Sequence, residues 1–131
     1  MSEAVILLVD DERTILQSLK QQLRRLFGAR LQYETAEDVP EAWEVLDELH
    51  DEGARVVVIV SDWLMPGVRG DEFLVQVRAK HPDIVRVMLT GQADDAAIRR
   101  VVTDAAVTTV LHKPWSPDEL RAVIAGALSA D

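Results

Sequence analysis

The sequence contains no cysteine, so disulfides, thiolate nucleophiles and cysteine-ligated metals are excluded. Positive charge is scarce: 14 Lys and Arg stand against 23 Asp and Glu, a net charge of −9. That balance disfavours direct contact with nucleic acid or an anionic membrane and suits cationic partners or a bound cation, although solubility alone would also explain it. Long apolar runs are absent, and "AVILLV" near the start is far too short to span a bilayer. The opening "MSEAVILLVDDE" lacks the basic segment of a secretion signal, so a cytoplasmic location is expected. Internal repeats, low-complexity segments and linkers are also missing. The 131 residues suit one domain over 1–131, with enough chain to bury a core.

What is present is an alternation of short apolar runs and amphipathic stretches. "AVILLVD" (4–10) and "RVVVIVSD" (55–62) are continuous and β-branched, as in strands buried on both faces. "LQYETA" (31–36) alternates and reads as an edge strand, and "IVRVMLT" (84–90) and "VTTVLHK" (107–113) complete five candidates. Between them lie helical stripes. Leu16, Leu19, Leu23 and Leu26 form the first, with Gly28 at its stop. Val39, Ala42, Trp43, Leu46 and Leu49 form the second, opened by an Asp38–Glu41 capping box and ended near Gly53. Phe73, Leu74 and Val77 mark a third. Ile98, Val101, Val102 and Ala105 mark a weaker fourth. Leu120, Val123, Ile124, Ala127 and Leu128 mark a fifth, where Ser116 caps, Pro117 takes the first helical position and Glu119 the third. Gly126 inside it costs roughly 1 kcal/mol relative to Ala.

Five strand–helix units predict an α/β fold: a doubly wound, five-stranded parallel sheet with helices on both faces. The two most apolar strands belong at the centre and the half-polar ones at the edges, which gives the order 2-1-3-4-5, flavodoxin-like. Ligands in such sheets bind beyond the carboxyl ends of the strands, at the topological switch point. Those ends carry Asp10-Asp11-Glu12, Asp62, Thr90-Gly91 and Lys113-Pro114. Asp10, Asp11 and Asp62 together would repel, so at least one pKa should rise and a hard cation such as Mg2+ would relieve them. Lys113 offers a point charge and Thr90 a hydroxyl. Asp62, alone at the end of a central strand, is the candidate nucleophile toward phosphorus. Each dipeptide is weak evidence by itself, since Asp also caps helices and makes turns. The four together, each at a strand end in the right order, are specific.

"LLVDDE", "VSDWLMPGVRGDEFL", "VMLTG" and "VLHKPW" resemble the receiver domain of two-component response regulators, over nearly the whole chain. The resemblance implies a phosphorelay switch rather than an enzyme. Asp62 would accept a phosphoryl group from a sensor histidine kinase, a histidine phosphotransfer protein or a small phosphodonor. Asp11 would bind Mg2+ directly, Asp10 partly through water, and the Leu64 backbone carbonyl would complete the metal site with Asp62. Thr90 and Lys113 would grip the phosphoryl oxygens, and a cis bond would precede Pro114. The change would reach an output domain or downstream protein through the surface around the last two strands and last two helices, with homodimerisation through the fourth helix, fifth strand and fifth helix. "LTGQAD" with "KPW" resembles a subset fused to output domains such as cyclases, phosphohydrolases or kinases, so the chain is a single-domain regulator or an excised receiver.

Three positions depart from the pattern. Val110 stands where the family often has an aromatic switch residue. Leu64 and Gln92 stand where the family tunes the phosphoryl lifetime. A phosphatase would want an acidic residue at 64. A phosphorylation-independent interaction or dimerisation module is the alternative, and it would tolerate loss of the acidic pair, Thr90 or Lys113. A flavodoxin-like cofactor binder would want a Gly- or Ser/Thr-rich loop where "DDERTIL" stands. Trp43 reads as core, Trp63 as a partial cover for the site, and Trp115 as a cap on the last helix or a partner anchor. His50, His81 and His112 show no metal-ligand spacing. "QQLRR" reads as a solvated face, although the first helix is a kinase-docking surface in the family.

Overall fold

The computed structural model describes residues 4–63, 65, 67–91, 99, 103, 107 and 109–129. Its strands are β1 (Ala4–Val9), β2 (Leu31–Ala36), β3 (Arg55–Asp62), β4 (Val85–Thr90) and β5 (Thr109–His112). Helices α1 (Arg13–Phe27), α2 (Val39–Asp51) and α3 (Gly70–Lys80) alternate with them, and a C-terminal helix runs over Pro117–Ser129. Four α-helices are thus seen among the described residues. The fourth stripe expected from sequence falls outside them, except that Arg99 and Thr103 are helical. No helix among the described residues is long and apolar enough to cross a membrane.

All strand pairs are parallel and the order is β2-β1-β3-β4-β5. Apolar content explains the order. From Val5 to Val9 and from Val57 to Asp62 every residue of β1 and β3 is buried, whereas β2 and β5 are buried only in part. Strand β5 is shorter than its apolar run, and Val107 is buried ahead of it. Each face of the sheet carries its own core. Leu7, Ile59, Met88, Phe73 and Leu74 pack with α2 and α3 on one side. Ile6, Leu8, Val60, Leu19, Leu23, Leu120 and Ile124 pack with α1 and the C-terminal helix on the other. Each such side chain, fully buried, contributes about 1.5–3 kcal/mol.

Helix ends follow local chemistry. The Asp38 carboxylate accepts the Glu41 N–H at 2.8 Å, but the Glu41 carboxylate reaches back to Glu37 rather than to Asp38. Ser116 and Glu119 form the full reciprocal box. Gly28 (φ 67°) and Gly53 (φ 77°) follow α1 and α2 in the left-handed region that glycine tolerates.

One irregularity aligns the strand ends. Val5 pairs with Val56 but Ile6 pairs with Val58, so Val57 is an extra residue in β3. After this bulge Val9 lies opposite Ser61, and the next step brings Asp10 beside Asp62.

Phe73 is fully buried and meets Trp43 edge-to-face at 5.4 Å. Phe73→Ala is therefore expected to lower unfolding free energy by about 3–5 kcal/mol, measured by urea denaturation.

Candidate functional site

The site stands at the carboxyl edge of the sheet, where β1, β3, β4 and β5 end side by side. Asp10 is fully buried just past β1, and Asp62 is 7% exposed at the end of β3. Lys113, the residue after β5, reaches over β4 and places its ammonium between them. Nζ lies 3.0 Å from Asp10 Oδ2 and 3.1 Å from Asp62 Oδ1. The Lys113 N–H donates to the Thr90 carbonyl at 2.8 Å, fixing the base of the lysine to the end of β4. The Lys113–Pro114 bond is cis. Thr90 is buried beside it at 1% exposure. Asp10, Asp11, Asp62, Thr90 and Lys113, all taken from strand ends, therefore sit together.

Asp11 is exposed and completes a cluster. Asp10, Asp11 and Asp62 can each present an oxygen such that the three lie within 4.8 Å of one another. The two buried carboxylates differ in one respect. Both Asp10 oxygens are engaged, Oδ1 by the Glu12 N–H at 2.8 Å and Oδ2 by Lys113. Asp62 engages Oδ1 only, and no donor meets its Oδ2 among the described residues. The N-cap of α1 is Glu12 rather than either residue of the acidic pair, and it makes no side-chain cap bond, although Asp10 Oδ1 accepts its backbone N–H.

Electrostatics follow from burial. Desolvation raises the Asp10 pKa, opposed by its bonds to Glu12 and Lys113. Desolvation, then the Asp10 charge, raises that of Asp62. Burial alone would lower the Lys113 pKa, but the hydrogen bonds and charges of Asp10 and Asp62 outweigh it and the net shift is upward. Oxygen-only donors under mutual repulsion fit a hard cation, so the cluster is compatible with Mg2+. The expected Leu64 carbonyl ligand lies outside the described residues, as does Gln92.

The turn after Asp62 is held from below. Trp63 N–H donates to the Leu89 carbonyl at 3.0 Å, and its own carbonyl accepts the Gly70 N–H at 2.8 Å. A Cβ on Gly70 would overlap the Asp62 carbonyl oxygen. Only glycine lets α3 start against the strand that carries Asp62, a role that a lone Gly in "VRGDEF" does not advertise.

Some side chains lie elsewhere than their sequence suggests. Trp63 is 7% exposed and belongs to the core cluster with Met65, Phe73 and Met88, so it does not roof the site. Its indole N–H has no acceptor among the described residues. Val110 is half-buried against the same cluster. Trp43 is half-buried, with Lys80 Nζ 4.9 Å from its ring centre. Trp115 donates its indole N–H to Gln22 at 2.7 Å, tying the start of the C-terminal helix to α1. Gln22 is thus not part of a purely solvated face.

A doubly wound sheet with a lysine-bridged acidic cluster at its switch point defines the class. The chain belongs to the response regulator receiver family: the model of the "Response regulator receiver domain" matches residues 6–125. It is similar to the hydrogenase transcriptional regulatory protein HoxA of Cupriavidus necator, with 34% identity over 98% of this chain. It spans only 25% of that regulator's length. A chemotaxis protein CheY homolog of Campylobacter jejuni is 32% identical, covering 88% of this chain and 85% of that one. Among solved structures, the signal receiver domain of an HD domain-containing protein from Pseudomonas fluorescens Pf-5 aligns with a TM-score of 0.85 at 27% identity, over 98% of this chain and 96% of that one.

Two outcomes are expected. Because the folded pKa values of Asp10 and Asp62 are raised, their favourable contribution is complete below about 3.8 and is lost as pH rises through the folded values. Metal-free Asp62→Asn is therefore expected to be more stable than wild type at pH 7.5, with the gap closing toward pH 4. Thermal melts in chelator at both pH values measure it. Gly70→Ala should cost about 1–3 kcal/mol and displace the Asp62 and Trp63 amide resonances.

Proposed function

We propose that this receiver domain is a phosphoacceptor switch in which Asp62 takes a phosphoryl group from a histidine. The observation that carries the assignment is the free Asp62 Oδ2. Of the two buried carboxylates, only Asp62 keeps an oxygen without a donor among the described residues. In the transfer, Asp62 Oδ2 attacks phosphorus and a P–O bond forms as the P–N bond to imidazole breaks. The bonding pair leaves with the imidazole nitrogen. Lys113, already 3.1 Å from Asp62, stabilises the acyl phosphate and the equatorial oxygens, and Thr90 donates to one of them. Asp10 and Asp11, with Asp62 and the Leu64 carbonyl, would hold Mg2+, which neutralises charge on the phosphoryl oxygens when bound. Water later reverses the modification, so the chain acts on its own aspartyl phosphate and not on a separate substrate.

The phosphoryl donor is a sensor histidine kinase or histidine phosphotransfer protein, and the setting is the cytoplasm. Output passes through the surface built by β4, β5 and the C-terminal helix, to a covalently joined domain, a downstream protein or a second copy. Similarity to a transcriptional regulatory protein and to chemotaxis proteins supports a signalling role. With Val110 in place of an aromatic, the rearrangement does not run through a rotating ring at that position.

Incubation with a small acyl-phosphate donor and Mg2+, followed by intact mass, tests this reading. Wild type should gain one phosphoryl group, and Asp62→Asn, or wild type in chelator, none. Lys113→Ala should reduce the yield at least tenfold. An unmodified but folded wild-type chain would favour a phosphorylation-independent interaction module.

A further inference from the structure

The charges of α1 and α2 are segregated by sign. Residues 13–33 carry five Lys and Arg and no Asp or Glu, whereas residues 34–54 carry nine Asp and Glu and no Lys or Arg. The two helices pack on opposite faces of the sheet, so within one chain these charges scarcely meet. Among the described residues, Arg13–Glu37 at 3.3 Å is the ion pair that joins the two segments. Lys20, Arg24, Glu48 and Glu52 make no ion pair among the described residues.

Both helices flank β2, which pairs with β1 and has no strand on its outer side. Arg13, Lys20 and Glu41 line a hollow of about 330 Å3 there, and Lys20 and Arg24 line a second of about 550 Å3. Trp43 lies on the other flank of α2, against Phe73 and Lys80 of α3. At 3.6 residues per turn, Glu41, Glu48 and Glu52 lie roughly 140–180° around the helix from Trp43, toward β2.

The spacings of the two rows match. Arg13, Lys20 and Arg24 are seven and four residues apart, and so are Glu41, Glu48 and Glu52. These steps measure about 10.5 Å and 6 Å along a helix axis. Each helix follows a strand of one parallel sheet, so the two run in the same direction.

We propose that a second copy of this chain docks at the β2 edge, about a two-fold axis along the strand. Such an axis exchanges the faces of the sheet and keeps the strand direction. It sets α1 of each copy beside α2 of the other, with both helices parallel. Lys20 then meets the partner's Glu48 and Arg24 meets the partner's Glu52, and the symmetry forms each pair twice. Each copy carries a net charge of −9. At ~0.1 M salt, however, the Debye length is about 10 Å, so remote charges are screened while facing side chains attract. Exposed ion pairs are individually weak, so the dimer forms at high protein concentration. This edge is opposite to that of β5, and the inference does not depend on the role of Asp62.

Sedimentation equilibrium of the whole chain tests it. Wild type should dimerise at ~0.1 M salt and dissociate at ~1 M, where the Debye length is about 3 Å. Lys20→Glu/Arg24→Glu and Glu48→Lys/Glu52→Lys should each be monomeric alone, because each carries like charges on both helices. Their equimolar mixture should restore the dimer, because each acidic helix then faces a basic one. Circular dichroism verifies that both variants are folded. Wild type that stays monomeric at ~1 mM overturns the proposal. So does a dimer that persists in both double variants, or a pair of variants that does not combine on mixing.

Discussion

One ammonium organises the site. Lys113 lies between two buried carboxylates on adjacent central strands, 3.0 Å from one and 3.1 Å from the other. Burial raises the pKa of both carboxylates, and the lysine opposes that rise in each. A single lysine leaves the group with a net negative charge even before Asp11 is counted. Buried ion pairs of this kind are weak contributors to stability and are better read as features of a site. The sheet is arranged to permit it. The bulge at Val57 sets Asp10 beside Asp62, and the Lys113 N–H on the Thr90 carbonyl sets the lysine over β4.

Much of this was legible from residue types. Strands β1 and β3 announce themselves as central because they are continuously apolar, and parallel order then puts Asp10, Asp62, Thr90 and Lys113 on one edge. Ser116 and Glu119 mark the start of the last helix by chemistry that is local in sequence, and the structure agrees. What escaped depends on distances across the fold. The overlap that demands glycine at 70 involves the Asp62 carbonyl, and the partner of Trp115 is Gln22 on α1. The His50–His81 approach joins the ends of two helices, which no local spacing reveals. The expectation that Trp63 covers the site failed because its ring turns into the α3-side core.

That core gives the switch its particular character. Val110 is aliphatic and packs into the same cluster as Trp63. The Trp63 indole N–H is buried in this cluster without an acceptor among the described residues, at a cost of about 1–3 kcal/mol. Trp63 also connects Asp62 to β4 and α3 through its two backbone hydrogen bonds.

The central claim is chemical: the unengaged oxygen of Asp62 forms an acyl phosphate. Borohydride reduction of the phosphorylated chain, followed by peptide mapping, tests it most directly, because reduction converts an aspartyl phosphate to homoserine. The account predicts homoserine at position 62 and aspartate at 10 and 11. Homoserine at position 10 or 11, or phosphorylated chain with none at 62, would contradict it.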